Sequence, residues 1–600
     1  MNKTAIVLFF AAGVVAAGSE DAYAAKKKSL PDLRPVPGHV IDHEGINVNP
    51  VPENVSRPYN GYLNMSGGFD LSQVPPEFAD CFKSIKSTPG GIPVEVSCGK
   101  EIAGRFGLPE KNGAYHLSIG PEKVAIDAYD KDGLFYGINT LSQIAEGVSD
   151  DNLPMVEIND YPALKYRGVV EGFYGNPWSH ETRLSILDFM GRHKMNSYVY
   201  GPKDDPYHRT PNWRKPYPPE EGRKIKELAE RARKNHIDFV WAIHPGGDIR
   251  WDKSDYDSLI NKFSSMYDLG VRQFAIFFDD IKGEGTDSHK QTALLNSIAN
   301  DFVKKKDGVG NLIVCPTDYN QGWANPSDSG QLAVYGRELD PAVDVFWTGK
   351  VVCGDIEPAS MEFVNSRINR PALVWWNFPV TDYCRHNLLM GPVYGLDTTL
   401  DETAMAGIET NPMENGEASK GAIYGVADYA WNTTAYNPVD NWTRSFSEIM
   451  PGAPDAYATF AIHSCDPPKN YRRNESWNVE TFRYDDYSEE QFAKLKKEFE
   501  KVRDCSDIMF TDGGNVALVT EIAPWLVEFS NLGERGLMAL DLIKLYEDGD
   551  YEKFSDAYNR LYLLNEVQKP GFLDHRSGTL KLQPFIDNVL LDLKPVNITR

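Results

Sequence analysis

Asp279 and Asp280 are the residues of this sequence whose type and position best suit acid–base chemistry. They follow the apolar run FAIFF, which predicts a buried strand, so both carboxyl groups are expected to meet a low-dielectric site. Like charges held close together raise the pKa of one group, which leaves one acid beside one base near neutrality. Cleavage of a glycosidic bond requires such a pair. The dipeptide alone is a weak signal, because Asp-Asp also occurs at 150–151, 204–205 and 485–486.

Two other interpretations of the pair are a salt-bridged structural pair and a metal site. No nearby His or third carboxylate has ligand spacing, so we expect no metal and no cofactor. Because neighbouring strand residues point to opposite sides, both carboxyls reach one pocket only if the chain leaves strand geometry here. Side chains anchored in this way are not expected to flank a sugar as nucleophile and acid. A nucleophile supplied by the substrate removes that requirement.

The segment from 165 to about 432 repeats a rhythm of short apolar runs, polar loops and amphipathic helices. This alternation predicts a (β/α)8 TIM barrel, and the rival is an open, doubly wound sheet. The helix between the last two predicted strands is the least clear. The eight predicted strands lie in KYRGVVEGFYG, NSYVYGP, IDFVWAIHP, RQFAIFFDD, NLIVCPTDY, VDVFWTGK, PALVWWNFP and, at residues 421–432, GAIYGVADYAWN.

A barrel places its catalytic groups where the strands end and the βα loops begin. The predicted strand ends carry carboxylates, amides and aromatic rings, as a sugar pocket requires. They are Glu171, Gly172, Tyr174, Lys203, Asp204, Asp205, His244, Asp279, Asp280, Asp318, Tyr319, Asn320, Trp347, Thr348, Trp375, Trp376, Asn377 and Asp382.

Two further domains are predicted on either side of the barrel. Residues 25–160 alternate strand-like runs with one helix, which predicts a small α/β domain without catalytic features, and the barrel is predicted at 161–435. Residues 436–600 lose the strand signal and predict a helical domain. There Ser488 and Gln491 form a capping box, and further helices are expected at 516–530, 534–547 and 551–566.

The first 24 residues predict a signal peptide, with a positive start, an apolar run and Ala22-Tyr23-Ala24 before the expected cleavage point. The apolar run is too short to span the hydrocarbon core of about 30 Å, and no later segment is long and apolar enough to do so. The sequence therefore predicts export to the periplasm, the cell surface or the medium. An oxidising compartment would allow Cys81 and Cys98 to pair, and the total of seven cysteines leaves at least one thiol unpaired.

Charge and composition restrict the partners. The net charge of −24 argues against nucleic acid, which needs a basic footprint, and mildly against a polyanionic substrate. The chain has 12 Trp, 30 Tyr and 28 Phe, which suit sugar binding but also build large cores. A neutral sugar is compatible with both the negative net charge and the aromatic content.

The ordered motifs of the chain resemble those of glycoside hydrolase family 84, the bacterial relatives of O-GlcNAcase, which also carry a hyaluronidase-like description. The resemblance spans about residues 60 to 560. Its motifs are GVVEGFYGNPWS, YVYGPKDDPYH, WAIHPG, FAIFFDDI, CPTDYN, WTG, WWNFPVTDY, GPVYG and ETNPME. It implies a retaining exo-β-N-acetylglucosaminidase that removes terminal β-linked N-acetylglucosamine from glycans or glycosylated proteins.

The resemblance also implies roles for individual residues. Asp279 would orient and polarise the 2-acetamido group, whose carbonyl oxygen attacks the anomeric carbon to form an oxazoline. Asp280 would protonate the leaving oxygen and then act as base on water, and Tyr319 would hydrogen-bond the developing oxazoline. The walls of the acetamide pocket would be formed by Thr348, Val352 and Trp375. The sugar hydroxyls would be held by Gly172, Lys203, Asn377, Asp382 and Asn411. The entrance of the pocket would be flanked by Tyr174 and Trp323.

Two competing functions remain. A hyaluronidase-like endo-glycosidase should show an open basic cleft, which the acidic balance and the hydroxyl-holding residues disfavour. A catalytically silent carbohydrate-binding adhesin has no need of a paired acid and base, so the Asp279–Asp280 pair and Tyr319 disfavour it.

Overall fold

Three structural units follow one another along the chain, in the order that the sequence predicts. The computed structural model describes residues 43, 45–83, 85–203, 205–465 and 480–595. The predicted signal peptide and Asp204 lie outside these residues. None of the helices in the described ranges is both long enough and apolar enough to cross a bilayer.

The N-terminal unit is a six-stranded mixed sheet with the order β1-β8-β5-β6-β4-β3, accompanied by a small β2–β7 ladder. Helix α2 packs on β5 and β6, and it begins where Asp130 accepts the backbone N–H of Gly133 at 2.8 Å. Cys81 and Cys98 are both free thiols, so they do not form the pair that an oxidising compartment would allow. The elements are β1 (Asn54–Ser56), β2 (Tyr62–Asn64), β3 (Phe69–Asp70), β4 (Ile92–Cys98), α1 (Lys100–Arg105), β5 (Tyr115–Ile119), β6 (Val124–Ala128), α2 (Lys131–Glu146), β7 (Asn152–Pro154) and β8 (Val156–Asp160).

The second unit is a closed barrel of eight parallel strands, which confirms the predicted fold class and excludes the open sheet. Its strands are β9 (Tyr166–Glu171), β10 (Ser197–Tyr200), β11 (Asp238–Ile243), β12 (Gln273–Phe277), β13 (Leu312–Cys315), β14 (Val343–Trp347), β15 (Ala372–Trp376) and β16 (Met405–Thr410). Its helices are α3 (His180–Arg192), α4 (Pro219–Lys234), α5 (Lys253–Asp268), α6 (Ser288–Asp301), α7 (Gln331–Glu338), α8 (Pro358–Ile368) and α9 (Gly416–Trp431).

Side chains alternate along the barrel strands. On β9, Tyr166 and Val170 belong to the cluster inside the barrel, whereas Val169 packs into the larger core shared with the surrounding helices. The inner cluster ends at the carboxyl side of the strands in Cys315, Tyr319 and Trp375. The barrel core therefore forms the floor of the site.

The prediction for the eighth strand was wrong. The run at 421–432 lies almost entirely in helix α9, and the eighth strand is β16, at 405–410. Every residue of α9 apart from Lys420 is buried, so the helix lacks the polar face that distinguishes an amphipathic helix from a buried strand. The segment 377–404, where a helix was expected, contains no helix.

The C-terminal unit is helical, as predicted. Its helices are α10 (Pro438–Ile449), α11 (Pro454–His463), α12 (Glu489–Asp512), α13 (Val516–Glu521), α14 (Ala523–Glu547), α15 (Tyr551–Asp574) and α16 (Leu582–Asp592). The capping box at Ser488 and Gln491 is present.

The predicted break between 530 and 534 does not exist, because α14 runs through it, and the break lies instead before Pro524 at the start of α14. Gly533 and Gly536 are packing positions inside this helix. A Cβ on Gly533 would clash with the backbone of Arg503, and one on Gly536 would clash with the Phe499 ring. Both glycines therefore allow α14 to approach α12 closely.

Candidate active site

A cavity of about 470 Å³ opens at the carboxyl end of the barrel strands. Every residue to which the resemblance assigns a role lines this cavity except Trp323. The other predicted strand-end residues in the described ranges do not line it; they are Glu171, Asp205, His244, Asp318, Asn320, Trp347 and Trp376. The lining residues are Gly172, Tyr174, Lys203, Asp279, Asp280, Cys315, Tyr319, Thr348, Val352, Cys353, Trp375, Asn377, Val380, Asp382 and Asn411.

Asp279 and Asp280 both reach this cavity because the chain has left strand geometry where they lie. Strand β12 ends at Phe277, and Asp280 adopts a left-handed conformation with φ of 54°. A non-glycine residue in this region costs on the order of 1 kcal/mol, although Asp tolerates it better than most residues. The left-handed residue resolves the geometric conflict that a regular strand would impose.

Asp279 is held as a carboxylate by a buried cation. The Lys203 ammonium lies 2.5 Å from Oδ2, and both side chains are largely buried. Burial alone would raise the pKa of Asp279, but the charge of Lys203, followed by that of His244, holds this pKa well below its ordinary value. Burial would likewise lower the pKa of Lys203, but its acidic and phenolic neighbours, chiefly the charge of Asp279, together outweigh burial and raise this pKa. Asp279 is therefore ionised near neutrality.

Asp280 lies at the exposed side of the cavity and accepts two phenolic hydrogen bonds. The Tyr174 hydroxyl donates to Oδ2 at 2.9 Å, and the Tyr319 hydroxyl donates to Oδ1 at 2.8 Å. Burial is the main reason that the pKa of Tyr174 rises to about 12, and burial together with the charge of Asp280 raises the pKa of Tyr319 further. Both phenols remain protonated donors that fix the Asp280 carboxyl group.

Two buried acceptor atoms at the cavity have no hydrogen-bond partner within the described residues: Oδ1 of Asp279 and Oδ1 of Asn411. A buried acceptor without a donor costs about 1–3 kcal/mol, so such atoms indicate a ligand that supplies donors. An amide N–H suits the carboxylate oxygen of Asp279, and a hydroxyl suits the amide oxygen of Asn411. N-acetylhexosamines carry both groups.

The far wall of the cavity is built on Trp375. A Cβ on Gly172 would clash with this ring, so only glycine fits beside it. The Trp375 indole N–H donates to Oδ1 of Asn377 at 3.0 Å, and Asn411 donates to the same oxygen at 2.8 Å. Asn377 donates in turn to the Val352 carbonyl at 2.7 Å, so one hydrogen-bonded network ties the loops of this wall together.

The remaining wall is apolar and small. The backbone N–H of Thr348 donates to the Tyr319 carbonyl at 2.9 Å, and its hydroxyl donates to the Val351 carbonyl at 3.2 Å, so its methyl group is the part free to face a ligand. Val352 packs against the inner barrel cluster. This surface suits an acetyl methyl group.

The mouth of the cavity carries exposed aromatic rings. Trp323 is 57% exposed, does not line the cavity, and packs edge-on against Tyr319 with ring centroids 5.0 Å apart. Tyr174 is 43% exposed. Its backbone N–H donates at 3.1 Å to Asp382, whose pKa is raised chiefly by burial.

Sequence reasoning missed three lining residues, Cys315, Cys353 and Val380. Cys315 is the last residue of β13 and was within reach of the strand-end argument, whereas the other two lie in loops without a distinctive pattern. Among the described residues, no group of three His, Cys, Asp or Glu side chains is arranged to hold a metal ion.

Known protein families match all three units. Residues 167–462, which hold the barrel and the first two C-terminal helices, match the family model described as beta-N-acetylglucosaminidase. Residues 476–595 match "Bacterial GH84, post-catalytic domain", and residues 80–161 match "Glycosyl hydrolase family 20, domain 2".

Curated relatives of the chain include an O-GlcNAcase and a diacetylchitobiase. The protein O-GlcNAcase of Rattus norvegicus is 35% identical over 277 residues, which are 44% of this chain and 29% of the relative. The N,N'-diacetylchitobiase of Vibrio harveyi is 32% identical over 117 residues, which are 19% of this chain and 13% of the relative. The chain thus spans less than a third of the length of these curated relatives.

Solved structures match most of the chain. The structure of CpGH84B superposes with a TM-score of 0.80 at 29% identity, covering 91% of this chain and 100% of that one. A mutant of the Thermobaculum terrenum O-GlcNAc hydrolase superposes with a TM-score of 0.62 at 27% identity, covering 72% of this chain and 95% of that one. With its barrel matched by the beta-N-acetylglucosaminidase model, its C-terminal helices matched by the bacterial GH84 post-catalytic model and most of its length superposed on CpGH84B, the chain belongs to glycoside hydrolase family 84.

Proposed function

We propose that this protein is a retaining exo-β-N-acetylglucosaminidase that works by substrate-assisted catalysis. The observation that carries the proposal is the buried Oδ1 of Asp279, which lacks a hydrogen-bond partner among the described residues. It lies in one cavity with the Asp280 carboxyl group, which two phenols hold. This arrangement offers an acceptor for an amide N–H and a separate group for proton transfer.

In the first step, Asp279 accepts the N–H of the 2-acetamido group, which increases the electron density on its carbonyl oxygen. That oxygen forms a bond to the anomeric carbon while the bond from this carbon to the leaving oxygen breaks. Asp280 supplies the proton that the leaving oxygen takes up. The amide N–H proton is held by Asp279, and the product of the step is an oxazoline.

In the second step, Asp280 takes a proton from water, whose oxygen bonds to the anomeric carbon and opens the oxazoline. Asp279 returns the proton that it holds to the ring nitrogen, which restores the acetamido group, and two inversions leave the β configuration retained. No bond forms between enzyme and sugar, which is a recognised exception to the scheme with two flanking carboxylates.

Two features support removal of a single terminal sugar. The cavity closes against Trp375, and Asn411 offers an acceptor at its inner wall. The lining holds three carboxylates and one lysine, which does not favour the polyanionic chain of a hyaluronidase-like substrate. The aglycones we propose are glycans and glycosylated proteins.

The test is hydrolysis of aryl β-N-acetylglucosaminides by the wild type, Asp279→Asn and Asp280→Asn. Each variant should lose about 100-fold or more of kcat/KM. For Asp280→Asn the loss should be smaller with good leaving groups, which need less protonation. Asp486→Asn, from an Asp-Asp pair outside the cavity, is the matched control and should behave as the wild type.

The proton NMR spectrum of the first-formed sugar should show the β anomer, and a thiazoline mimic of the oxazoline should inhibit far better than N-acetylglucosamine. A thiazoline that binds no better than this sugar would rule out assistance by the substrate. An inactive wild type would leave the adhesin as the function.

We also propose that the protein is exported. The pattern of the first 24 residues supports this, and mass spectrometry of the mature N-terminus tests it. A mature protein that retains Met1 in its native host would contradict export by this signal.

A further inference from the structure

The directions of both carboxyl groups depend on the orientation of the peptide group that joins Asp279 to Asp280. It is the group that must rotate for Asp280 to enter the left-handed region, where its φ is 54°. A hydrogen bond to its carbonyl oxygen is therefore a means of fixing the whole acidic pair.

That hydrogen bond comes from a side chain. Nε2 of His244 lies 2.8 Å from the backbone oxygen of Asp279. His244 is buried, and it follows directly after the last residue of β11, the strand next to β12 in the barrel. The donor is thus carried by the neighbouring strand.

His244 is itself held by its neighbours. Its backbone N–H donates to the carbonyl of His208 at 2.7 Å, and Arg209 pairs with it in an isolated parallel bridge. The Arg209 guanidinium donates to the Lys203 carbonyl at 2.6 Å, so the same loop holds the lysine that pairs with Asp279. The His244 ring and the Lys203 ammonium group both approach Asp279, and the same loop holds both residues in place.

The ring lies nearer to the backbone oxygen than to the carboxylate oxygen that the substrate needs. Nε2 is 3.4 Å from Oδ1 of Asp279, longer than its bond to the backbone oxygen, and Oδ1 has no hydrogen-bond partner among the described residues. Lys203 holds the other oxygen, Oδ2. The acceptor for the acetamide is therefore left open.

We propose that His244 is a positioning residue, whose Nε2–H holds the Asp279–Asp280 peptide group so that both carboxylates face the sugar. This inference rests on the proposed function. In this role His244 contacts no substrate atom and transfers no proton.

The proposal is tested with His244→Gln, which retains an amide donor, and His244→Phe, which retains a ring without a donor. We expect His244→Phe to lose on the order of 100-fold in kcat, with a smaller change in KM, because a displacement of about 1 Å can have such an effect. Thiazoline affinity should fall in parallel, and His244→Gln should recover most of both losses. A packing role predicts the reverse order, because phenylalanine keeps the ring.

The matched control is His193→Phe, which removes a fully buried histidine between the end of α3 and the amino end of β10, whereas the cavity lies at the carboxyl ends of the strands. It should lose stability and retain kcat. If His244→Phe does not fold, His244→Met replaces it under the same criteria.

A crystal structure of the donorless variant gives a second readout, in which φ of Asp280 should leave the left-handed region. An active wild type together with a donorless variant within threefold of it, or with φ of Asp280 unchanged, would overturn the role of His244 alone. An inactive wild type would instead overturn the proposed function.

Discussion

Lys203 and Asp279 form a buried ion pair in which the ammonium nitrogen lies 2.5 Å from Oδ2 of the carboxylate. The resemblance assigned Lys203 to sugar hydroxyls, and the structure shows it against the acidic pair. This contact leaves Oδ1 available while it keeps the group charged. Lys203 therefore keeps the buried Asp279 carboxylate ionised, so that it can accept a hydrogen bond from the substrate.

Replacing Lys203 by methionine should therefore change the pH dependence of catalysis. Burial raises the pKa of Asp279, and Lys203 is the main charge that lowers it. Without the cation, Asp279 should take up a proton at higher pH, so the acidic limb of kcat/KM should move to higher pH by more than about one unit. At pH 7 the loss should be about 100-fold.

The measurement is a kcat/KM profile from about pH 4 to 9, a range that spans the ordinary carboxyl pKa and neutrality. The control is Lys226→Met, which removes an exposed lysine on α4. An unchanged acidic limb in Lys203→Met would show that another group keeps Asp279 ionised.

The two phenols on Asp280 should contribute differently. Tyr174→Phe removes one donor that orients the acid, so we expect a loss of about 3- to 10-fold that grows for poor leaving groups. Tyr319→Phe also removes the proposed donor to the oxazoline, so we expect about 100-fold with every leaving group. Kinetics with a series of aryl glycosides separates the two patterns.

Tyr256→Phe is the control, because Tyr256 donates to Asp301 at 2.8 Å outside the cavity. Equal losses for Tyr174→Phe and Tyr319→Phe with all leaving groups would contradict separate roles.

Gly172 should be intolerant of a single added carbon. In Gly172→Ala the new Cβ would clash with Trp375 and displace this ring into the cavity. We expect thiazoline affinity to fall by at least about tenfold and unfolding free energy to fall by about 1–3 kcal/mol. Calorimetric titration and denaturant unfolding measure the two effects.

The control for this variant is Gly104→Ala in α1, where the added Cβ meets nothing within 4 Å. Wild-type thiazoline affinity in Gly172→Ala would show that Trp375 does not form the wall of the sugar site.

The position of the acidic pair could be predicted because catalytic groups in a barrel follow the strands, and Asp279 comes soon after a recognisable buried run. The left-handed φ of Asp280 could not, since that conformation involves the hydrogen bond from His244, more than thirty residues earlier in the chain. The eighth strand was misplaced for a different reason. Helix α9 is buried on nearly all sides, so its sequence lacks the periodicity from which helices are recognised.

The stability of the contact between the helical domain and the barrel should depend on pH through the carboxyl group of Glu521. This carboxyl accepts the backbone N–H groups of Glu417 and Ala418, at the start of α9, at 3.2 and 2.8 Å. Burial is the main reason that its pKa rises from 4.5 to about 7. The folded state binds the Glu521 proton more tightly than the unfolded state does. The resulting contribution of Glu521 to the free energy of unfolding is therefore fully present below pH 4.5 and is lost as the pH rises through 7.

Each pKa unit corresponds to about 1.4 kcal/mol, so the loss between these pH values is at most about 3 kcal/mol. Glu521→Gln, which cannot ionise, should remove that part of the pH dependence of Tm. Thermal unfolding from about pH 4.5 to 8 measures it, and exposed Glu534→Gln on α14 should retain the wild-type slope. A Glu521→Gln curve parallel to the wild type would show that Glu521 titrates alike in the folded and unfolded states.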